Sequence, residues 1–267
     1  MRRRMAHSDV AGGIDGPIGR LRDALERKGV AHVIRSMVKE SLTFTGGLVA
    51  IAYHRMFRSR AGFIFEGRTY RYFYHRYGRT WRNERTVEVP IIWEMVRMNG
   101  GKSILEIGNV LPNYFSFGHD VVDKYEKARG VINCDIVDFH PPKKYDLIVS
   151  ISTLEHIGWD ENPREPEKVL RAISNLRSLL SAEGRIAFTV PVGQNIELDR
   201  FISESKIQLT EKFYLKRISA SNKWKQVDAK DARDATYNSP FPKANAVVVG
   251  IIENACVTGN DKATNAV

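Results

Sequence analysis

The sequence predicts an α/β protein, a mainly parallel seven-stranded sheet with helices on both faces, reached through a basic extension of helices and short strands. Three observations predict it. From residue 103 onward, short apolar runs alternate with stretches of helical spacing, the pattern that builds a parallel sheet through helical crossovers. Before that point the texture differs, with a segment dense in arginine and aromatic residues between Gly62 and Val89. The 267 residues, 43% of them apolar, are enough for one large domain carrying an extension.

Taken in chain order, Asp15-Gly16-Pro17 reads as a helix start, and Ile18, Leu21, Leu25, Val33, Ile34, Met37 and Val38 recur at helical spacing, which predicts helices over 17–41. Gly46-Gly47 breaks this pattern before a second helical stretch over 47–58. From Gly62 the turn-like Gly67 and Gly78 punctuate aromatic and arginine residues, as in short strands or hairpins. Arginines interleaved with aromatics suit stacking on bases or sugars and binding phosphates; they equally suit packing, with the charges facing water. Pro90 to Met98 reads as a helix ended by Asn99-Gly100-Gly101. Strands follow at Ser103 to Ile107, Asp120 to Asp123, Gly130 to Cys134, Leu147 to Ser150, Arg185 to Val190, Gln208 to Ile218 and Ala246 to Ile252. Pro166, Val169, Leu170, Ile173, Leu176 and Leu180 mark an amphipathic helix stopped near Gly184. The expected organisation is an extension over 1–89, a main domain over 90–254 and a flexible tail over 255–267.

Composition narrows the function classes. Cys134 and Cys256 belong to no CxxC or Cys/His cluster, so neither a disulfide scaffold nor a zinc site is suggested, and no metal is expected. The start MRRRMAHSD is not followed by the apolar run of a signal peptide, and Leu48 to Met56 falls short of the roughly 20 residues of a membrane span. A cytoplasmic protein is the expectation. The formal charge is +10, and residues 1–102 hold 20 Lys/Arg against 9 Asp/Glu while the remainder holds 21 against 22. Such asymmetry fits an anionic partner: a phosphate-bearing substrate, the inner face of a membrane, or, less readily, nucleic acid. An ordinary solvated basic surface fits as well.

The run SILEIGN is an apolar strand ending in an acid and a glycine, which lets a ligand approach the carboxyl end of a parallel strand. Three further segments follow in order: VVDKYE, VINCDIVDF and KYDLIVSISTLEHIG. Together, residues 103–192 resemble the class I S-adenosylmethionine-dependent methyltransferases, especially the type 11-like group that ends its fourth strand with Leu-Glu-His, here Leu154-Glu155-His156. QLTEKFYLKRIS and ANAVVVGII look like the antiparallel pair that closes that family's seven-stranded, Rossmann-like sheet. The resemblance covers about residues 90–254.

The resemblance implies S-adenosylmethionine as cofactor and assigns positions to it. Glu106 and Gly108 would stand beside its methionine end, and Asp123 would accept hydrogen bonds from its ribose hydroxyls. Asp135 and Ile136 would meet the adenine, with Asp138 as a nearby alternative to Asp135. Ser150 to Ser152 would line the cleft below the sulfonium. One departure stands out: Gly108-Asn109-Val110-Leu111-Pro112-Asn113 replaces the family's GxGxG loop, and only about a dozen residues reach the second strand. The helix normally found there must be short or irregular. The cofactor tolerates this because it has no pyrophosphate needing a glycine-rich cradle, and the same fact argues against NAD.

His156 is the candidate base for a hydroxyl acceptor, since histidine exchanges protons near neutrality. Its alternative role is to fix the loop after the fourth strand. Asp160 and Glu161 follow closely and would assist a base, hold a metal or, as expected here, simply form a polar approach to a helix. Trp224, Tyr237 and the Asn195 region are candidate acceptor contacts, with packing as their alternative. The resembling sequences look like enzymes of bacterial surface-glycan synthesis, which points to a sugar hydroxyl, phosphate- or lipid-linked, as acceptor. The competing readings are an RNA methyltransferase, for which no RNA-binding module or Asn-Pro-Pro-Tyr sequence is present, and a protein that binds the cofactor without transferring its methyl group.

Overall fold

The computed structural model describes residues 60–116 and 118–254, together with 49, 51–53 and 56–58. The chain divides into two compact units, Met1–Ala52 and Tyr53–Val267. The helices expected over 17–41 and the tail over 255–267 lie outside the described residues. Within 47–58, the described residues 49, 51–53, 56 and 57 are helical.

The second unit opens with a hairpin, β1 (Gly62–Phe65) and β2 (Arg68–Arg71), turned by Glu66 and Gly67, both at positive φ. Paired positive φ values match the right-handed twist of the strands. Phe63, Phe65 and Tyr72 turn inward onto Leu215, Trp224 and Val247, so this aromatic segment packs on the sheet.

Helix α1 (Arg85–Met98) begins five residues before the predicted Pro90. A proline inside a helix leaves the carbonyl four residues back without its N–H partner. Here the Thr86 carbonyl accepts instead from the Phe73 N–H at 2.9 Å, and the helix runs through.

The central sheet contains β3 (Ile104–Ile107), β4 (Asp120–Val122), β5 (Val131–Ile132), β6 (Tyr145–Ile151), β7 (Leu180–Pro191), β8 (Glu211–Arg217), β9 (Trp224–Val227) and β10 (Ala246–Glu253), in the order β5-β4-β3-β6-β7-β10-β8-β9. The first five are mutually parallel, and β10 enters antiparallel between β7 and β8. This is the predicted Rossmann-like sheet with one strand more: β9 pairs antiparallel with β8 at the edge. Helix α2 (Lys168–Ser178) stops earlier than predicted, because Leu180 already pairs with Tyr145 as the start of β7. Gly184, read from sequence as a helix stop, is a strand residue; a Cβ there would lie 2.6 Å from the Tyr145 carbonyl oxygen.

Side chains alternate across the strands, so the two faces build separate cores. Leu147, Val149 and Ile151 of β6 meet Val89, Ile92 and Val96 of α1. Ile148, with Ile186 and Phe188 of β7, meets Val169, Ile173 and Leu176 of α2 and Leu198, Phe201 and Ile202 of α3 (Ile196–Ser203). Helices thus cover both faces. Between β3 and β4 a single 3-10 turn, Leu111–Asn113, replaces a helix. Among the described residues no helix is long and apolar enough to cross a membrane, and no cluster of three or more His, Cys, Asp or Glu is placed to hold a metal.

Candidate functional site

Loops from the carboxyl ends of β3, β4, β5 and β6 enclose a cavity of about 550 Å³. From β3 the chain passes to β4 and β5 on one side, whereas β6 lies on the other side of β3. The cavity therefore occupies the topological switch point, where open α/β sheets bind ligands. Its volume falls in the range of about 300–1,000 Å³ common to small-molecule sites.

The β3 loop is shaped from beneath by Glu106. This fully buried carboxylate accepts the N–H groups of Val110 at 2.9 Å and Leu111 at 2.7 Å, and its other oxygen meets His119 Nε2 at 2.6 Å. Glu106 is not part of the cavity wall; it holds the turn that is. Gly108 does line the cavity, with φ +85°, and a Cβ there would come within 2.2 Å of Thr153 Oγ1. Only glycine lets the loops after β3 and β6 close on each other. The far end of the loop is anchored by Tyr114 and Phe115, which join Phe73, His75 and Trp93 in an aromatic cluster.

Asp123 follows β4 and lines the cavity. One oxygen accepts the N–H groups of Tyr125 at 2.8 Å and Glu126 at 2.7 Å, and the other accepts the Asn109 N–H at 3.2 Å. An ionised carboxylate offers about four acceptor positions, so capacity remains for a ligand hydroxyl. Asn109 donates through Nδ2 to Glu126 at 2.8 Å, while its buried Oδ1 has no hydrogen-bond partner. Such an orphaned acceptor costs about 1–3 kcal/mol, which a donor on a ligand would recover.

At the end of β5, Asp135 caps a 3-10 turn through the Val137 N–H, and the buried Ile136 supplies an apolar patch of wall. Asp138 is exposed and lies off the cavity, so of the two acids it is Asp135 that faces it. Lys168 reaches Asp135 at 2.5 Å and Glu161 at 2.7 Å, and Lys124 bridges the same two acids at 2.8 and 3.1 Å. Partial burial pushes both carboxyls up, but the hydrogen bonds from the two lysines outweigh it and hold them below their usual range.

The β6 side is built differently. Ser152 adopts φ +40°, strained for a residue with a Cβ, and its hydroxyl donates to Glu88 at 2.6 Å. Arg85 lines the cavity and binds Glu88 at 3.1 Å and the Ile151 carbonyl at 2.9 Å. Glu88 is fully buried, and burial pushes its carboxyl up against the pull of Arg85. Glu155 is 1% exposed, and neither carboxyl oxygen has a hydrogen-bond partner in another residue. Burial, reinforced by the nearby Glu88 carboxyl, pushes Glu155 well above the usual range. On the rim, His156 Nδ1 lies 2.5 Å from Asp160 Oδ2, and Nε2 stands 3.7 Å from Glu155, beyond hydrogen-bond reach. His156 and Asp160 both line the cavity.

Of the residues singled out in the sequence for the cofactor and the base, Gly108, Asp123, Asp135, Ile136, Ser152 and His156 line this one cavity, whereas Glu106, Asp138 and Ser150 do not. Trp224 is buried in the core with Nε1 donating to Asn222, and Asn195 caps α3 while its Nδ2 donates to the Glu155 carbonyl. Sequence reasoning gave no role to Arg85, Glu88, Asn109, Lys124 or Lys168. The places of the two missing loop glycines fall to Val110 and Pro112, so Asn109, between Gly108 and Val110, carried no signal of its own. Glu88 had none: its partner Ser152 is 64 residues away.

No family model and no curated protein matches the chain. Among solved structures, the N-methyltransferase NodS from Bradyrhizobium japonicum WM9, in complex with S-adenosyl-L-homocysteine, aligns at 15% identity over 61% of this chain and 84% of its own, with a TM-score of 0.38. The magnesium protoporphyrin IX methyltransferase ChlM from Synechocystis PCC 6803, with bound SAM, aligns at 13% identity over 62% and 78%, with a TM-score of 0.34. An rRNA methylase from Streptococcus thermophilus aligns at 11% identity over 63% and 97%, with a TM-score of 0.38.

Proposed function

We propose that the chain is an S-adenosylmethionine-dependent methyltransferase that O-methylates a sugar or glycan-precursor hydroxyl, with His156 as the base. The observation that carries this reading is the convergence of Asp123, Asp135, Ile136, Ser152 and His156 on one cavity at the switch point of the sheet. The residues present suit the cofactor. Asp123 has spare acceptor capacity for a ribose diol, Ile136 offers an apolar face for a base, and the orphaned Asn109 Oδ1 calls for a donor. Nothing in the loop resembles a pyrophosphate cradle.

When bound, the cofactor supplies a methyl group on a positively charged sulfur, whose departure needs no acid. The chain must then bind an acceptor in line with it and remove the acceptor's proton. Asp160 accepts from the Nδ1–H of His156, which leaves Nε2 as the basic lone pair and stabilises the imidazolium formed when that nitrogen takes a proton. His156 lines the cavity at its exposed rim, and an acceptor hydroxyl would approach Nε2 from there. The resemblance to glycan-associated enzymes and the basic charge of the first hundred residues support a sugar acceptor, the latter by favouring a phosphate-linked one.

The test supplies labelled methyl donor and a cell extract to the full chain. Label is expected in carbohydrate as a stable ether, and His156→Ala should lower turnover by about 100-fold while leaving donor affinity intact. Label in RNA, or turnover of His156→Ala equal to the parent across pH, would refute the reading.

A further inference from the structure

A second cleft, of about 360 Å³, lies where β2 passes α1, and it shares no lining residue with the cavity described above. All four residues of β2 line it, and α1 contributes a single face, Pro90, Trp93, Glu94 and Arg97. Trp93 and Phe115 form an apolar wall, stacked face to face at 4.0 Å with an interplanar angle of 4°.

Charge in this cleft is unbalanced. Arg68, Arg71 and Arg97 face a single carboxylate, Glu94, and Arg97 pairs with it at 3.2 Å. Among the described residues neither Arg68 nor Arg71 has a carboxylate partner; Arg68 reaches only the Met98 sulfur, at 3.9 Å. Burial pushes the Tyr70 hydroxyl up and Arg68 opposes that shift, so the Arg68 charge is felt inside a partly dehydrated recess. Both arginines are exposed, so an incoming anion can reach them from solvent. Two guanidinium groups without an acid, beside a concave recess with an aromatic wall, are suited to a phosphate ester attached to a flat ring: the guanidiniums fork onto phosphate oxygens, and the ring packs against the apolar wall of the recess.

We propose that this cleft is a binding site for a soluble diphosphate ester carrying a flat ring, of the nucleoside diphosphate class. The site stands apart from methyl transfer and does not depend on it. It has a physical route to the first cavity, because the loop that ends in Phe115 begins at Gly108 and Asn109, which line that cavity.

The experiment is calorimetry on the full chain with S-adenosylhomocysteine present in excess, titrating uridine diphosphate and inorganic pyrophosphate separately. Uridine diphosphate should bind more tightly than pyrophosphate, and Arg68→Ala or Arg71→Ala should each weaken it by about tenfold, the loss expected of a charged hydrogen bond. The same variants should keep the parent affinity for S-adenosylhomocysteine, which shows that they fold. Three results would each overturn the proposal: no binding of uridine diphosphate, affinity unchanged in both arginine variants, or association only with vesicles of phosphatidic acid and not with the soluble diphosphate.

Discussion

The two walls of the cavity use the same residue type to opposite ends. On the β4–β5 side, Asp123, Asp135 and Glu161 are surrounded by donors, either backbone N–H groups or the ammonium groups of Lys124 and Lys168. On the β6 side, Glu88 and Glu155 are buried; Glu88 pairs with Arg85, and Glu155 has no hydrogen-bond partner in another residue, with His156 standing 3.7 Å away. The lysines hold Asp135 and Glu161 below their usual range, whereas burial pushes Glu88 and Glu155 above theirs. The difference teaches that one cavity can hold two classes of acid; under the proposed function the β4–β5 wall would recognise the donor nucleoside and the β6 wall would face the acceptor.

The largest expected break in this comparison comes from Glu106, the acid beneath both walls. Glu106→Ala strands two N–H groups and His119, and should lower unfolding free energy by about 3–5 kcal/mol in denaturant titration. A loss confined to cofactor affinity, with stability unchanged, would move Glu106 from scaffold to ligand contact. Next, Asp123→Ala should weaken S-adenosylhomocysteine binding by about 1.5–3 kcal/mol in calorimetry. Unchanged affinity would remove the recognition role from that wall.

The acid on α3 sharpens the comparison at a third point. Asp199 accepts the Gly193 N–H at 2.7 Å, yet burial pushes its carboxyl up to about 6 from an ordinary 3.8. A carboxyl raised on folding adds stability when protonated and loses that contribution as pH rises through the folded value. Asp199→Asn should therefore gain on the order of 2 kcal/mol relative to the parent between pH 4 and pH 8. Equal stability differences at the two pH values would contradict this. For Glu155 the expectation is a sign: its carboxyl is raised well above 4.5, so Glu155→Gln should become progressively more stable than the parent as pH increases. The opposite trend in thermal unfolding would show that Glu155 is ionised and partnered.

Much of the sheet was legible because a short apolar run closed by an acid or a glycine marks the carboxyl end of a buried parallel strand. Strands β3 and β4 carry that mark, and β6 is a nearly continuous apolar run. The lining of the candidate site was legible for the same reason, since strand ends place their next residue on the cavity. What escaped was set by distant contacts. Glu106 shares its local pattern with a ligand-binding acid, and only the fold of residues 108–119 reveals that its oxygens are already occupied. Strand β9, with the sequence WKQV, has no run of its own; it exists because the Ser219–Lys223 turn folds it onto β8 and Tyr72 bonds the Trp224 N–H. The start of α1 was hidden by Pro90, whose missing donor is replaced by Phe73 across a loop.

A crystal structure of the chain with S-adenosylhomocysteine tests the central claim most directly. The ribose hydroxyls are expected on Asp123, the adenine against Ile136, and the sulfur turned toward Ser152 and His156. A nucleoside bound elsewhere, or this cavity left empty at saturating ligand, would contradict it.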